Sequence, residues 1–350
     1  SSSTTAEVTA SASGSTTKDS STSDETGTET GEKDTNTSGP TGCSGNEDCT
    51  DVTLPYCLEG TCAPCSSADE PDVLCVGLDA ATPLCVDDAC VQCTAENFEA
   101  CGGATPLCDA EENTCVGCRF HEECQEIDLP ACNIATGACF SNDAVSMVNA
   151  GTPGAVQAAV SKVGANSEHA IVLTGSGGTN HTVTVDGGKT IAIVSASEDP
   201  TVKQEVRGNS GNPTLTVTGA GTTVYLHRLA LTANTDDVGI SVEPTTTLYA
   251  DSVRVAQNTG GGIELTTGSS GFLRNCMVGR NGDEFASTTG INSAGELSVL
   301  YSSIVANDGD GADSIQCGGG SAVVRNSIFI GSDASSIDCG TLDASNSAFD

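Results

Sequence analysis

Two acidic segments of this sequence could take part in catalysis or bind a metal ion. Asn234-Thr235-Asp236-Asp237 places two carboxylates side by side, and hydrolysis of a glycosidic bond uses a pair of carboxylic acids. A second segment, residues 307–313, gathers oxygen ligands on a glycine-containing loop, and Ca²⁺ takes roughly six to eight oxygens. Asp308, Asp310 and Asp313 are therefore candidate calcium ligands, with an acidic surface loop as the alternative because the spacing misses the EF-hand pattern.

The repeat around Asn234 predicts a turn there. Asn234 falls in the same column as Asn258, and both are followed within a few residues by a glycine-isoleucine pair, Gly239-Ile240 and Gly262-Ile263. Asparagine tolerates the left-handed conformations that tight turns require. The sequence therefore contains no complete catalytic set, and we assign no catalytic residue.

Four further side chains are candidates for binding a ligand: Arg254, Arg274, Tyr301 and Arg325. The alignment puts Arg274 and Arg325 in one column, two repeats apart, with Tyr301 between them. Because arginine pairs carboxylates bidentately, such a strip would suit an acidic polysaccharide. A ladder of arginines that is simply solvated is the alternative. The four histidines share no metal-binding spacing, and His227 falls in a predicted turn.

Most of the 19 cysteines lie between residues 43 and 139. They form four groups of four: Cys43, Cys49, Cys57 and Cys62; Cys65, Cys75, Cys85 and Cys90; Cys93, Cys101, Cys108 and Cys115; Cys118, Cys124, Cys132 and Cys139. Each third cysteine follows a Pro-X pair and precedes a short turn, which predicts a hairpin in every group. The CxxC spacings between groups raise zinc as an alternative. Two disulfides would close each group, with three possible connectivities.

The remaining cysteines are Cys276, Cys317 and Cys339. Ile315-Gln316-Cys317-Gly318 and Ile337-Asp338-Cys339-Gly340 have matching patterns, so they are expected to stack on neighbouring strands. Such strands lie ~4.8 Å apart, which is within the usual Cα separation of a disulfide. We predict a Cys317–Cys339 bridge rather than a reduced cysteine ladder, and a buried thiol at Cys276.

Composition restricts the class of partner and the compartment. The formal net charge of -35 repels phosphate, so we expect no nucleic-acid partner. No apolar run approaches the ~18–20 residues of a membrane helix. Disulfides persist outside the reducing cytosol, so we expect an extracellular or outer-surface location. A lipid anchor is conceivable only through a segment that this sequence does not contain.

Three parts follow one another along the chain. Residues 1–42 are rich in Ser, Thr and acidic residues, which predicts a disordered linker. Residues 43–140 form tandem cysteine-rich modules. Residues 141–350 begin with a short helix, predicted over Thr152–Val163 with Thr152 as cap and Pro153 at its first position. Short strands follow, with a period close to 24 residues that indicates one coil of a parallel β-helix per repeat.

Residues 141–350 resemble the right-handed parallel β-helix, or pectin-lyase-like, superfamily. The resemblance rests on the predicted helix, on Ala170-Ile171-Val172-Leu173, on residues 181–191 and on a repeated Asn-Ser-x-apolar turn. It implies an all-β solenoid, which we expect to continue beyond residue 350. Family polygalacturonases use Asn-Thr-Asp and Asp-Asp elements, but their Gly-His-Gly and Arg-Ile-Lys elements are missing here. Residues 43–140 are similar to tandem four-cysteine modules of secreted bacterial surface proteins and lipoproteins.

These observations lead to one functional hypothesis and two alternatives. We expect a non-catalytic, cell-surface or secreted protein whose β-helix binds glycan or matrix, with no cofactor other than calcium. A polysaccharide lyase or glycoside hydrolase acting on an acidic polysaccharide is the first alternative. A structural component of a surface coat is the second.

Overall fold

The computed structural model describes residues 42–175, 181–197, 199, 204–282, 290–307, 314–330 and 337–349. The predicted disordered linker therefore lies outside the described residues, except for Gly42. The three candidate calcium ligands, Asp308, Asp310 and Asp313, also lie outside them. Cys43–Asp350 forms one compact unit. Among the described residues, no helix is long and apolar enough to cross a membrane.

Four disulfide-closed modules occupy the cysteine-rich part. In each module the first cysteine bonds to the third and the second to the fourth, which selects one of the three connectivities that the spacing allows. These sulfurs are thus consumed by covalent bonds and do not form zinc sites. Each module contains an antiparallel hairpin across its last two cysteines, such as Cys57 opposite Cys62.

The modules have short elements, as expected for units too small to build a hydrophobic core. Two helices occur in them, α1 (Pro71–Leu78) and α2 (His121–Gln125). The hairpin strands are β1 (Tyr56–Leu58), β2 (Thr61–Ala63), β3 (Leu84–Val86), β4 (Ala89–Val91), β5 (Leu107–Asp109), β6 (Thr114–Val116), β7 (Cys132–Asn133) and β8 (Ala138–Cys139). Single 3₁₀ turns lie at Asn46–Asp48, Cys65–Ser67 and Asn142–Ala144.

From residue 145 onward the chain winds into a parallel β-solenoid with three sheets, which confirms the predicted fold class. The long sheet contains β9 (Val145–Asn149), β10 (Glu168–Thr174), β12 (Thr190–Ser195), β15 (Thr223–His227), β18 (Thr247–Asp251), β21 (Ser270–Arg274), β24 (Glu296–Leu300), β27 (Ser321–Arg325) and β30 (Thr341–Ser345). The second sheet contains β11 (Val183–Val185), β14 (Leu215–Val217), β17 (Ile240–Val242), β20 (Ile263–Leu265), β23 (Ile291–Ser293), β26 (Ile315–Gln316) and β29 (Ile337–Asp338). The third sheet contains β13 (Gln204–Arg207), β16 (Leu229–Thr232), β19 (Arg254–Ala256), β22 (Met277–Gly279), β25 (Ser303–Val305), β28 (Ile328–Ile330) and β31 (Ala348–Phe349).

A sharp corner separates the long sheet from the third sheet, and it corrects the predicted register. One residue of each coil has a positive φ there: Arg228, Ser252, Asn275, Tyr301, Asn326 and Asn346. The sequence alignment of the coils placed Arg228 and Ser252 correctly but put Cys276, Ser303, Ser327 and Ser347 in this column. An alignment of sequence alone does not distinguish neighbouring polar residues near a turn. In the structure, the residue with the left-handed backbone conformation defines the corner. The corner at Arg228 separates β15 from β16.

The solenoid interior combines an apolar core with a buried asparagine ladder. Val224, Leu226, Leu248 and many similar side chains point inward and are buried. At the turn between the third and second sheets, Asn258, Asn281 and Asn307 stack, and each Oδ1 accepts a backbone amide from the coil before it. Asn234 belongs to this ladder, since its amide donates to Asn258 Oδ1 at 3.1 Å. Asn234 is therefore a buried turn residue.

The capping helix of the solenoid is shorter than predicted. Helix α3 spans Ala155–Val160 and packs Val156, Ala159 and Val160 into the first coil. Its N-cap is Gly154 with φ 69, so Thr152 and Pro153 lie before the helix. Gly154, in the left-handed conformation, directs the chain into the helix. The prediction gave this capping role to Thr152, because a Thr-Pro pair is a common helix start.

The structure joins Cys317 and Cys339 on neighbouring coils. Cys276 lies instead in the column of Ser302 and Ser327, immediately after the corner. Its buried thiol donates to the carbonyl oxygens of Ala250 and Arg274.

Candidate functional site

The fourth module, residues 118–139, lies against the outer face of the long sheet. That face has small residues where the module approaches, Ala170 and Ala192, which leave room for its backbone. Ala131 in the module and Phe140 just after it pack on them and on Tyr225. This apolar contact holds the cysteine-rich part against the solenoid.

Tyr225 anchors this contact with hydrogen bonds. Its hydroxyl donates to Asn133 Oδ1 at 2.7 Å and accepts the amide of Ala135 at 3.3 Å. Asn133 in turn donates through Nδ2 to Glu168 Oε1 at 2.9 Å. Burial raises the pKa of the Tyr225 phenol, so it stays protonated and remains a donor. The module is thus fixed by a continuous polar network as well as by apolar packing.

Beside Tyr225, ionisable side chains from the module and the sheet meet in one place. We call them the docking cluster: His121, Glu122, His227, Arg228, Asp251 and Arg274. Helix α2 supplies the first two, and the ends of β15, β18 and β21 supply the rest. The register of the long sheet explains this convergence, since His227, Asp251 and Arg274 are direct neighbours on successive coils.

Distances within the docking cluster show that its charges are paired. Arg274 forms a short ion pair with Asp251, and Arg228 lies 3.6 Å from Glu122. The His227 ring stands between the two acids, with Nε2 3.6 Å from Glu122 Oε1 and Nδ1 3.7 Å from Asp251 Oδ2. Two carboxylates thus face two guanidinium groups around a central imidazole.

The two histidines of the docking cluster are held neutral. Burial and, next in importance, the neighbouring His227 together lower the pKa of His121 to about 3. Burial also lowers the pKa of His227 to about 4; Asp251 opposes this shift, while Arg228 and Arg274 add to it. Burial alone would raise the pKa of Asp251, but the hydrogen bond and charge of Arg274 outweigh it and lower that pKa.

Glu122, His227 and Asp251 have ligand atoms within 4.8 Å of one another, so a metal ion has to be considered. Arg228 and Arg274 already balance the two carboxylates, and a divalent cation would add two positive charges beside them. His121 does not help, because its Nδ1 accepts the Cys132 amide at 3.1 Å. Its Nε2 therefore carries the proton. The docking cluster is charge-balanced as it stands.

An open groove runs along the edge of the fourth module, with a volume of about 210 Å³. Phe120 forms one wall, and Tyr249 and Phe272 on the sheet form the other. The two sheet rings stack with centroids 4.7 Å apart and 11° between their planes. Arg274 lies over the Phe120 ring at 3.8 Å and closes one end. The groove is therefore an aromatic slot beside an arginine.

The structure separates the four predicted ligand-binding residues. Arg274 and Arg325 do share a column, but Leu300 lies between them rather than Tyr301. Tyr301 is an exposed corner residue, and Arg254 belongs to the third sheet, on a different face. Arg325 is paired with Asp343. Of the four, only Arg274 lines the aromatic groove.

Sequence reasoning missed most of this site. His227 was interpreted as a turn residue, whereas it ends β15 and is fully buried beneath the fourth module. One signal was present: Tyr225, Tyr249 and Phe272 recur at the coil period and are register neighbours. Nothing in the sequence indicated that α2 would complete the docking cluster, because that contact joins distant segments.

Comparisons with known proteins give one match to a family model and one to a solved structure. A family model described as a family of unknown function, DUF8331, matches residues 12–145. No curated protein matches. The crystal structure of an alginate lyase from Paenibacillus sp. str. FPU-7 is similar over 57% of this chain and 73% of that one, with 22% sequence identity and a TM-score of 0.43.

Proposed function

We propose that this chain is a non-catalytic secreted or cell-surface protein that binds a glycan along the outer face of its long sheet. The observation that supports this most directly is the stacked pair Tyr249 and Phe272 beside Arg274. A sugar ring presents an apolar C–H face, which packs well on the negative face of an aromatic ring. Phe272 is 38% exposed and offers such a face.

The chemistry around the rings suits an extended, acidic glycan. Ser298 continues the Tyr249–Phe272 column on the next coil and supplies a hydroxyl group. Arg274 and Arg325 stand two coils apart on the same face, which is roughly 9.6 Å at the usual strand spacing. Arg274 and Arg325 are paired with Asp251 and Asp343, but a guanidinium group carries five N–H donors. A chain of acidic sugars could therefore meet remaining donors at both positions.

The same groove is poorly equipped for catalysis. A general base must reach its proton at roughly 2.6–3.2 Å, yet the Asp251 side chain is only 6% exposed and is held by Arg274. His121 is buried and neutral. Burial also raises the pKa of the Tyr249 phenol, so the phenol stays protonated near neutral pH and cannot accept a proton. These features support binding without turnover.

Disulfides persist in oxidising compartments, so the bridges in the modules and in the solenoid support a location outside the cytosol. An outer-surface or extracellular position would bring the groove into contact with matrix polysaccharide. A lipid anchor supplied by another segment would fix it there.

A glycan array at pH 7 and millimolar calcium, followed by calorimetry on the hits, tests the proposal. We expect acidic oligosaccharides to bind and Phe272→Ala to weaken binding about two- to tenfold, since a stacked ring contributes ~0.5–1.5 kcal/mol. Met277→Ala is the matched control, because Met277 is also 38% exposed but lies on the third sheet.

Three outcomes would contradict the proposal. Equal loss of glycan affinity in Phe272→Ala and Met277→Ala would show that the aromatic groove is not the binding site. Release of reducing ends or unsaturated products would establish a lyase or hydrolase. Absence of binding to every glycan would favour a structural coat component.

A further inference from the structure

The contact between the fourth module and the solenoid buries two histidines that belong to opposite sides of it. His121 is on α2, and His227 is on β15 of the long sheet. Their rings lie 4.9 Å apart, and both side chains are fully buried. Separation of the two surfaces would return both rings to water.

Several polar atoms at this contact have no hydrogen-bond partner among the described residues. They are His121 Nε2, both ring nitrogens of His227 and Glu122 Oε2. Buried polar groups normally find partners, and an unmet one costs free energy. The polar part of this contact is therefore less favourable than the apolar part around Tyr225, and it is the part that responds to protons.

The charged groups that face the histidines come from every element around them. Glu122 approaches from α2, Asp251 from β18, and Arg274 from β21, while Arg228 follows β15 at the corner. Two acids and two arginines cancel, so a proton on either imidazole adds a net positive charge to a buried site. That charge is costly unless the site opens to water.

We propose that the fourth module is a pH-sensitive latch, closed on the long sheet at neutral pH and released on acidification. Release would uncover Tyr225 and the adjoining outer face of the sheet, and would remove the Phe120 wall of the aromatic groove. The disulfides Cys118–Cys132 and Cys124–Cys139 keep the module itself closed while it moves.

The direction of the pH effect follows from the histidine pKa values. In the released state His227 would titrate near 6.5, whereas in the docked state its pKa is about 4. The pKa of His121 is about 3 in the docked state, and its Nδ1 keeps the Cys132 amide as a partner within the module. The released form thus binds more protons below pH 6.5. The docking equilibrium is fully favourable above that pH and weakens as pH falls towards 4, by up to about tenfold per unit through His227. Protonation of Asp251, which occurs at still lower pH, removes its pairing with Arg274.

Hydroxyl-radical footprinting of the whole protein between pH 7.5 and 4 tests the latch. We expect labelling of Tyr225, relative to the exposed Tyr301, to rise at least tenfold as pH falls. Leu248 and Phe329, which are buried inside the solenoid, are expected to stay protected. If Tyr225 becomes labelled only together with Leu248 and Phe329, the chain unfolds as a whole and the latch is refuted.

A histidine variant separates titration from general acid damage. His227→Gln keeps a polar side chain without a proton switch, so release is expected at a pH at least one unit lower. His169→Gln is the control, because His169 lies on β10 outside the docking cluster and bonds to Ser146. An unchanged pH dependence in His227→Gln, or an equal shift in His169→Gln, would overturn the proposal. Far-UV circular dichroism at pH 7.5 verifies that both variants fold.

Discussion

The hydroxyl group of Tyr225 connects the cysteine-rich modules to the solenoid. Removing it in Tyr225→Phe leaves Asn133 Oδ1 and the Ala135 amide without this partner. A buried group that loses its partner costs about 1–3 kcal/mol, so we expect the free energy of unfolding in urea to fall by that amount. Tyr249→Phe is the comparison, since Tyr249 contacts its neighbours through ring stacking. Equal losses in the two variants would contradict this role.

Asn281 occupies the middle of the asparagine ladder. Its Oδ1 accepts from Asn258, and its Nδ2 donates to Val255 O and Asn307 Oδ1. Asn281→Ala would leave several buried groups unpaired and create a small cavity, so we expect a loss of about 2–4 kcal/mol. Asn292→Ala on the exposed side of β23 is expected to stay within ~0.5 kcal/mol. Thermal and urea unfolding of both variants decide the point.

Single residues were predictable where their chemistry is local. The shared column of Asn234 and Asn258 followed from the Gly-Ile pairs, and the structure shows both in one ladder. The matching segments around Cys317 and Cys339 predicted a disulfide between them, and the structure contains it. His227 was not predictable, because its burial depends on a module more than 90 residues earlier in the chain, as Tyr225 and Asn133 show.

At the scale of an element, a glycine column lets neighbouring coils approach beside the ladder. A Cβ on Gly262 would lie 2.3 Å from the carbonyl oxygen of Gly290 and 2.7 Å from Val278 Cγ1. Backbone cannot move aside cheaply within a stack of coils, so Gly262→Ala is expected to cost about 1–3 kcal/mol. Gly318→Ala meets only Ala294 Cβ at 3.9 Å and serves as the control. If Gly262→Ala leaves the free energy of unfolding unchanged, the neighbouring coils can move apart more easily than these contact distances imply.

Strands and coil period were predictable from alternation and repetition, but corners were not. Asn275, Asn326 and Asn346 carry a usual residue for a left-handed corner, whereas Arg228, Ser252 and Tyr301 adopt the same conformation without such a signal. The prediction therefore found the coils but misplaced the corner in four of them, by two residues at Tyr301 and by one residue at the three asparagines. That error moved Tyr301 into the column of Arg274, which Leu300 occupies in the structure.

At the scale of the whole molecule, two kinds of stabilisation lie side by side. The modules close through disulfides between cysteines 13 to 20 residues apart, each worth roughly 3 kcal/mol in loop entropy. The solenoid instead buries a continuous apolar core from Val148 to Phe329. The order of these parts was readable from composition, while the docking of the fourth module was not, because it depends on surfaces that form only after both parts fold.

Reduction is therefore expected to unfold the two parts separately. After treatment with dithiothreitol and alkylation, we expect protease to degrade residues 43–140 while a fragment beginning near residue 145 survives with its β-type circular dichroism. Loss of the Cys317–Cys339 bridge removes a cross-link with a sequence separation of 22, which is worth about 3 kcal/mol, so the coil at β29–β31 should become the most accessible part of that fragment. A Cys317→Ser/Cys339→Ser double variant, digested without reduction, isolates this contribution, because its modules remain closed. If reduction is instead followed by loss of the β-type signal and by proteolysis of both parts together, the docked modules are required for the solenoid to fold, and the two parts are not stabilised independently.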